Sequence, residues 1–211
     1  MLPMFPLGSV LFPYMPLQLR VFEDRYMVML SRILQTESLE FGVVLIERGQ
    51  EVGGGEHCFR FGTVARITQL EATEGLVGLV AHGGQRIEVV EWLAEDPHPQ
   101  AVVRGLDDLD WDDALLPLRK QAEHDVRRAL AVASEFTEQV WSPDVELSAD
   151  PIAAAWQLAA IAPLGPLDQV SLLRSTTMDG LLRSVIEYTE AAGEPFRAPW
   201  PEEDAEEEAE E

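Results

Sequence analysis

Residues 4–26 read Met4-Phe5-Pro6-Leu7-Gly8-Ser9-Val10-Leu11-Phe12-Pro13-Tyr14-Met15-Pro16-Leu17-Gln18-Leu19-Arg20-Val21-Phe22-Glu23-Asp24-Arg25-Tyr26. Phe5 and Leu7 stand two apart, the spacing of one strand face, and Gly8-Ser9 breaks the run. Pro13 and Pro16 then hold an extended segment, because proline fixes its own φ and keeps its predecessor out of the helical region. Leu17, Leu19 and Val21 alternate with Gln18 and Arg20, which predicts a half-buried second strand. From Phe22 the period lengthens. Tyr26, Met27, Leu30, Ile33 and Leu34 share one helical face, with Glu23 and Asp24 in the first turn, where the helix dipole favours negative charge.

Outward from this opening the chain continues as β structure. Phe41–Ile46 is a short apolar run, as expected of a strand covered on both faces. Glu47–His57, with Gly49, Gly53, Gly54 and Gly55, reads as a mobile loop. Phe59, Phe61, Thr63, Ala65 and Ile67 alternate with Arg60, Gly62 and Arg66 in a long strand. Leu76–Ala81 and Arg86–Trp92 are expected to form a hairpin around Gly83-Gly84, a dipeptide suited to positive φ. Ala101–Leu106 is a last strand.

After Asp107 the pattern is helical. Leu115, Leu118, Ala122, Val126, Ala129, Ala133, Phe136 and Val140 recur at steps of three and four, predicting a helix that extends to Val140, with Pro117 in its first turn. Asp150-Pro151 is an N-cap followed by proline at the first helical position, opening a helix to Ile161. Leu167–Leu173 is a short helix. Thr176 is expected to cap the last one, with Asp179 as its capping-box partner and Gly193 as its end. The fold class is therefore α+β: a β domain over 1–106 with one early helix, a helical bundle subdomain over 110–193, and an acidic tail over 194–211 expected to be disordered.

The chain of 211 residues has a formal net charge of −23 and 46% hydrophobic residues, enough for a real core. Such acidity argues against a nucleic-acid ligand, whose affinity comes from lysine and arginine on phosphates. Lys120 is the single lysine and Cys58 the single cysteine. One cysteine excludes an intrachain disulfide and suits a reducing, cytoplasmic compartment. No basic segment precedes an apolar run at the N-terminus, and no apolar stretch has the length of a membrane span, so neither a signal peptide nor membrane insertion is expected.

The ordered elements F-P-L-G-S-V-L-F-P and L-x-L-x-V-F-E-x-R-Y (Leu17, Leu19, Val21, Phe22, Glu23, Arg25, Tyr26) resemble the opening of the N-terminal domain of Lon proteases, a domain that also occurs free-standing. F-G-V-V-L-I, F-G-T-V-A-R-I and G-G-Q-R-I-E-V-V continue the resemblance, as do W-Q-L-A-A-x-x-P-L and D-Q-V-S-L-L in the helical part, over residues 3–193. One departure stands at Tyr14, where the family usually has glycine. The resemblance implies a PUA-like β-barrel or folded sheet followed by a helical bundle. It implies a non-catalytic module that binds unfolded or degron-bearing polypeptides, with a Lon-type protease as a candidate partner and a substrate-recognition or adaptor role.

The sequence carries no recognisable catalytic constellation. A P-loop needs Gly-Lys-Ser/Thr; Gly53-Gly54-Gly55 is followed by Glu56, and no Gly-Lys pair occurs. A Ser-Lys dyad would depend on Lys120, assigned to a packed and solvated helix. Cys58 next to His57 does not make a dyad, since neighbours on a strand point apart, and reads as a small structural thiol; His82, His98 and His124 are the more distant alternatives. Asp107, Asp108, Asp110, Asp112 and Asp113 lack the glycine and terminal glutamate of a calcium loop. No catalytic residue, metal or cofactor is therefore assigned. The polypeptide-binding surface is expected at Met4, Phe12, Tyr14 and Met15, because methionine adapts to varied partners. Glu23, Arg25, Tyr26 and Arg86 are expected to be structural: Glu23 supports the helix start and Arg25 braces the barrel. Phe196 and Trp200 form a possible tail motif. The rival readings are an RNA-binding PUA-like module and a hidden peptidase or small hydrolase.

Overall fold

A computed structural model describes residues 1–35, 38–48, 57–73, 75–137 and 140–193. Six strands form one mixed sheet: β1 (Leu2–Leu7), β2 (Pro16–Val21), β3 (Glu40–Arg48), β4 (His57–Thr73), β5 (Leu76–Trp92) and β6 (Gln100–Gly105). The order is β2-β5-β4-β3-β1-β6, and β5 also pairs with β6. Five strands therefore close into a ring, with β2 attached to one half of β5. β1 and β3 run parallel, with Phe5 opposite Val43, and the other pairs are antiparallel. Helix α1 (Asp24–Ile33) follows β2, and its face of Tyr26, Met29, Leu30 and Ile33 is buried. Tyr26 stacks on Phe5 with ring centroids 4.1 Å apart.

A 3-10 turn (Asp113–Leu115) leads into α2 (Leu116–Ser134), α3 (Pro151–Ile161), α4 (Pro166–Leu173) and α5 (Met178–Gly193). The side chain of Asp150 accepts from the amide of Ala153 at 2.7 Å and caps α3. Seven of the eleven residues of α3 are buried, among them Ala154, Trp156 and Leu158, as in a helix surrounded by packing on all sides. A single apolar core joins Phe5, Phe12, Phe41 and Ala65 of the sheet region to Leu130, Trp156, Leu172 and Leu181 of the helices. A smaller cluster of Met4, Val44, Ile87, Val89 and Ala101 comes from four strands of the ring.

Three sequence expectations are corrected. β5 is one continuous strand through Gly83-Gly84, not a hairpin. The glycine is required there by close approach: a Cβ on Gly83 would lie 2.0 Å from the carbonyl oxygen of Phe12. α2 stops at Ser134, short of Val140, and the apolar period runs on past the buried face of the helix: Phe136 is 53% exposed and Val140 90%. The cap of α5 is Thr177, whose hydroxyl accepts from the amide of Gly180 at 3.1 Å, one residue beyond Thr176. Most of the glycine-rich loop, residues 49–56, lies outside the described residues, as do 194–211 with Phe196 and Trp200.

Candidate functional site

The connection from β1 to β2 enters the molecule and leaves it again within eight residues. Leu11 and Phe12 face inward, and the Phe12 ring lies 6.2 Å from that of Trp156 on α3. The Thr63 hydroxyl donates to the Leu11 carbonyl at 2.6 Å. Two backbone bonds then clamp the loop to the middle of β5. The Tyr14 amide donates to Gly83 at 2.8 Å, and the Gly83 amide donates to Met15 at 2.9 Å. Between these bonds the chain must turn outward, and it does so with Tyr14 at φ 63°. That is the left-handed region, sparsely used by bulky residues. The residue where the resembled family usually has glycine is thus the one whose backbone glycine would suit best.

The burial of the four expected contact residues follows from this path. Met4 is 0% exposed, Phe12 2% and Met15 7%, so these three belong to the core and are withdrawn as surface residues. Strand alternation turns Met4 into the smaller cluster, and the clamp at Gly83 turns Phe12 and Met15 into the larger one. Tyr14 is 49% exposed and stays on the surface.

Tyr14 borders a cleft of about 340 Å³ with Gly84, Arg86, Asp108, Ile152 and Trp156. The loop, β5, the segment after β6 and α3 all contribute, so the cleft lies where the sheet meets the helices. Arg86 forms its floor. It is buried, its guanidinium lies 4.9 Å over the Trp156 ring, and it donates to the carbonyls of Leu173 (2.9 Å), Ser175 (2.6 Å) and Asp107. Burial pulls its pKa down, while Asp108 and Asp107 push it back up. A guanidinium engaged by three carbonyls braces β5 against the segment after β6 and the end of α4. Burial raises the pKa of the Tyr14 hydroxyl, and the charges of Asp150 and Asp108 add to the shift. The hydroxyl is therefore a proton donor across the physiological range. The cleft offers an aromatic edge, one hydroxyl, apolar side chains and a carboxylate, but no nucleophile paired with a base.

On the other side of the same loop a groove of about 400 Å³ is lined by Leu17, Leu130, Trp141, Ile161 and Leu164, among others. The remaining motif residues lie at α1. Arg25 donates to the Glu23 carboxylate at 3.1 Å and sits 4.5 Å over the Tyr26 ring. Lys120 is exposed on α2. His57 and Cys58 border a separate cleft of about 290 Å³ with Arg60 and Trp92. His82 and His124 are exposed, and His98 is buried beside Arg32, 3.4 Å from its guanidinium. Among the described residues no group of acidic, histidine or cysteine side chains is placed to hold a metal ion, and no helix is long and apolar enough to cross a membrane. Sequence reasoning missed the clamp at Gly83 and the partners of Arg86, because both depend on contacts between segments distant in sequence.

The family model for the ATP-dependent protease La (LON) substrate-binding domain matches residues 1–191. A Lon protease of Anaeromyxobacter dehalogenans is 29% identical over 154 residues, 67% of this chain and 18% of that protein. A LON peptidase N-terminal domain and RING finger protein of Schizosaccharomyces pombe is 27% identical over 115 residues, 48% of this chain and 23% of that protein. The chain thus spans about a fifth of the length of these two curated relatives. Among solved structures, a Lon N-terminal domain protein from Xanthomonas campestris superposes with a TM-score of 0.62 at 25% identity, covering 89% of this chain and 97% of that one. The N-terminal domain of a Mycobacterium avium complex Lon protease gives 0.62 at 16% identity, covering 90% and 97%, a likeness of fold.

Proposed function

We propose, from the premise that this chain belongs to the ATP-dependent protease La (LON) substrate-binding domain family, that it binds unfolded or degron-bearing polypeptides without cleaving them. In this reading it presents such clients to a separate protease as a recognition or adaptor module. The observation that supports a site is Tyr14: a half-exposed aromatic, held in a strained backbone by two hydrogen bonds, beside a cleft with apolar walls. Strain of this kind persists only where the surroundings enforce it, and such positions cluster at ligand contacts. Tyrosine supplies contact area at low entropic cost and a hydroxyl for a peptide carbonyl. Arg86 keeps the cleft open by fixing β5 and needs no ligand to satisfy it.

The net charge of −23 favours a polypeptide over a phosphate backbone. The absence of a Gly-Lys pair from the sequence, and Lys120 as its single lysine, favour binding over ATP-driven cleavage. The test is capture of a permanently unfolded, carboxymethylated polypeptide by wild type and Tyr14→Asp. The variant places a charge among Asp108 and Asp150 and is expected to lose most of the capture while remaining folded. Equal capture would reject the cleft. Cleavage of the client by the purified protein alone would reject the binding-only reading.

A further inference from the structure

A cavity of about 550 Å³ in the helical part lies between α2 and α5, with Pro163 and Leu164 also in its lining. Ala129, Val132, Ala133 and Ala192 supply apolar wall, and Asp125, Arg128, Thr189 and Glu190 supply polar edge. Two features mark it as a site. Thr189 is 3% exposed, yet its hydroxyl has no hydrogen-bond partner, and a buried carboxylate oxygen of Asp125 has none either. Orphaned buried polar atoms are costly, about 1–3 kcal/mol each, so native proteins normally pair them. Gly193, the last described residue of the chain, is itself part of the cavity wall.

We infer that this cavity is the docking site of the chain's own segment Pro195-Phe196-Arg197-Ala198-Pro199-Trp200. Phe196 stands three residues beyond Gly193, and three extended residues reach about 10 Å. The segment combines two aromatic side chains with prolines at 195, 199 and 201, which favour an extended conformer and lower the entropic cost of docking. Arg197 is the single cation among residues 194–211. It answers the carboxylates of Asp125 and Glu190, which outnumber Arg128 around the cavity. The aromatic side chains fill the apolar wall, and the segment's N–H groups supply the donors that Thr189 and Asp125 lack.

The test is a comparison of amide NMR spectra of the full chain, wild type against the double variant Phe196→Ser, Trp200→Ser. Docking predicts chemical-shift changes centred on Val132, Ala133 and Thr189. It also predicts a wild-type Trp200 indole signal displaced from its random-coil position at every protein concentration. The substitutions change none of the residues of the described core, so the fold is preserved and the spectra remain comparable. Unmoved signals at these positions would overturn the inference. So would shifts that fade on tenfold dilution, since they would place a second copy's segment in the cavity, or cavity shifts in wild type on adding unfolded polypeptide with the Trp200 indole already at its random-coil position.

Discussion

Replacing Tyr14 by glycine and by alanine separates the backbone of this residue from its side chain. An L-residue in the left-handed region carries about 1–2 kcal/mol of strain, and Tyr14 sits there at φ 63°. Glycine removes that strain but loses roughly 0.5–1 kcal/mol through the freedom of the unfolded chain. Both variants lose the buried half of the tyrosine ring, about 1 kcal/mol if full burial contributes two. Tyr14→Gly is therefore expected within about 1 kcal/mol of wild type, and Tyr14→Ala about 1 kcal/mol below it. The glycine variant should exceed the alanine variant by about 0.7 kcal/mol, or roughly 2 °C in Tm for a chain of this size. Denaturant midpoints at constant m give the difference directly. Capture of an unfolded client should fall in both variants, about tenfold, if the ring is the central contact. An alanine variant as stable as the glycine variant would refute the strain argument. A glycine variant that is stable and captures undiminished would refute the role of the ring.

Gly83→Ala should lower stability by about 2 kcal/mol or more, because the new Cβ meets the Phe12 carbonyl at 2.0 Å and the backbone must move; calorimetry checks this, and an unchanged Tm would show the clamp to be loose. Arg86→Met leaves the carbonyls of Leu173, Ser175 and Asp107 without their donor, at a loss of about 3 kcal/mol or more, read as a lower denaturant midpoint. Asp150→Asn retains an N-cap of similar quality but removes one of the charges that raise the Tyr14 pKa, so the Tyr14 phenol should ionise at lower pH in ultraviolet difference titration against Tyr14→Phe. Because that pKa is raised by folding, its contribution to stability is complete below the unfolded value near 10 and is lost as pH climbs through the folded value. Tyr14→Phe should lack this alkaline loss.

Local signals in the sequence were legible where one element decides its own structure. Asp150-Pro151 placed the start of α3, the alternation from Leu17 to Val21 gave β2, and the three-four period gave Tyr26, Leu30 and Ile33 of the buried face of α1, while Met29 is buried there and Leu34 is 50% exposed. Ambiguity entered where one residue type serves two purposes. Gly83 permits close backbone approach, and that demand selects glycine as strongly as a tight turn does, so a continuous strand was read as a hairpin. Phe12 and Met15 occupy a proline-rich connection that reads equally as an exposed apolar loop or an inserted one. The decision is made by Trp156 and Leu130, more than a hundred residues away. The end of α2 was misplaced because periodicity records which face is apolar, not how far along the chain the helix continues.

In the proposed function, the position of Tyr14 ties binding to the fold more closely than either half of the chain does alone. Its outward path requires Phe12 to be held inward by Trp156 and Gly83 to receive the loop backbone. Arg86, three residues past Gly83, reaches the carbonyls of Leu173 and Ser175 and so ties the same strand to the helices. The cleft is therefore assembled only when sheet and helices share their core, and its geometry depends on contacts far from any client. If the cleft binds clients as proposed, a substitution in α3 or at the end of α4 should alter capture by releasing β5, with Tyr14 itself unchanged. Arg86→Met is the sharpest case, because the guanidinium it removes is already engaged by three backbone carbonyls and the Trp156 ring. It should still weaken capture in proportion to the loss of the clamp, whereas a purely local aromatic contact would leave capture by the folded fraction intact.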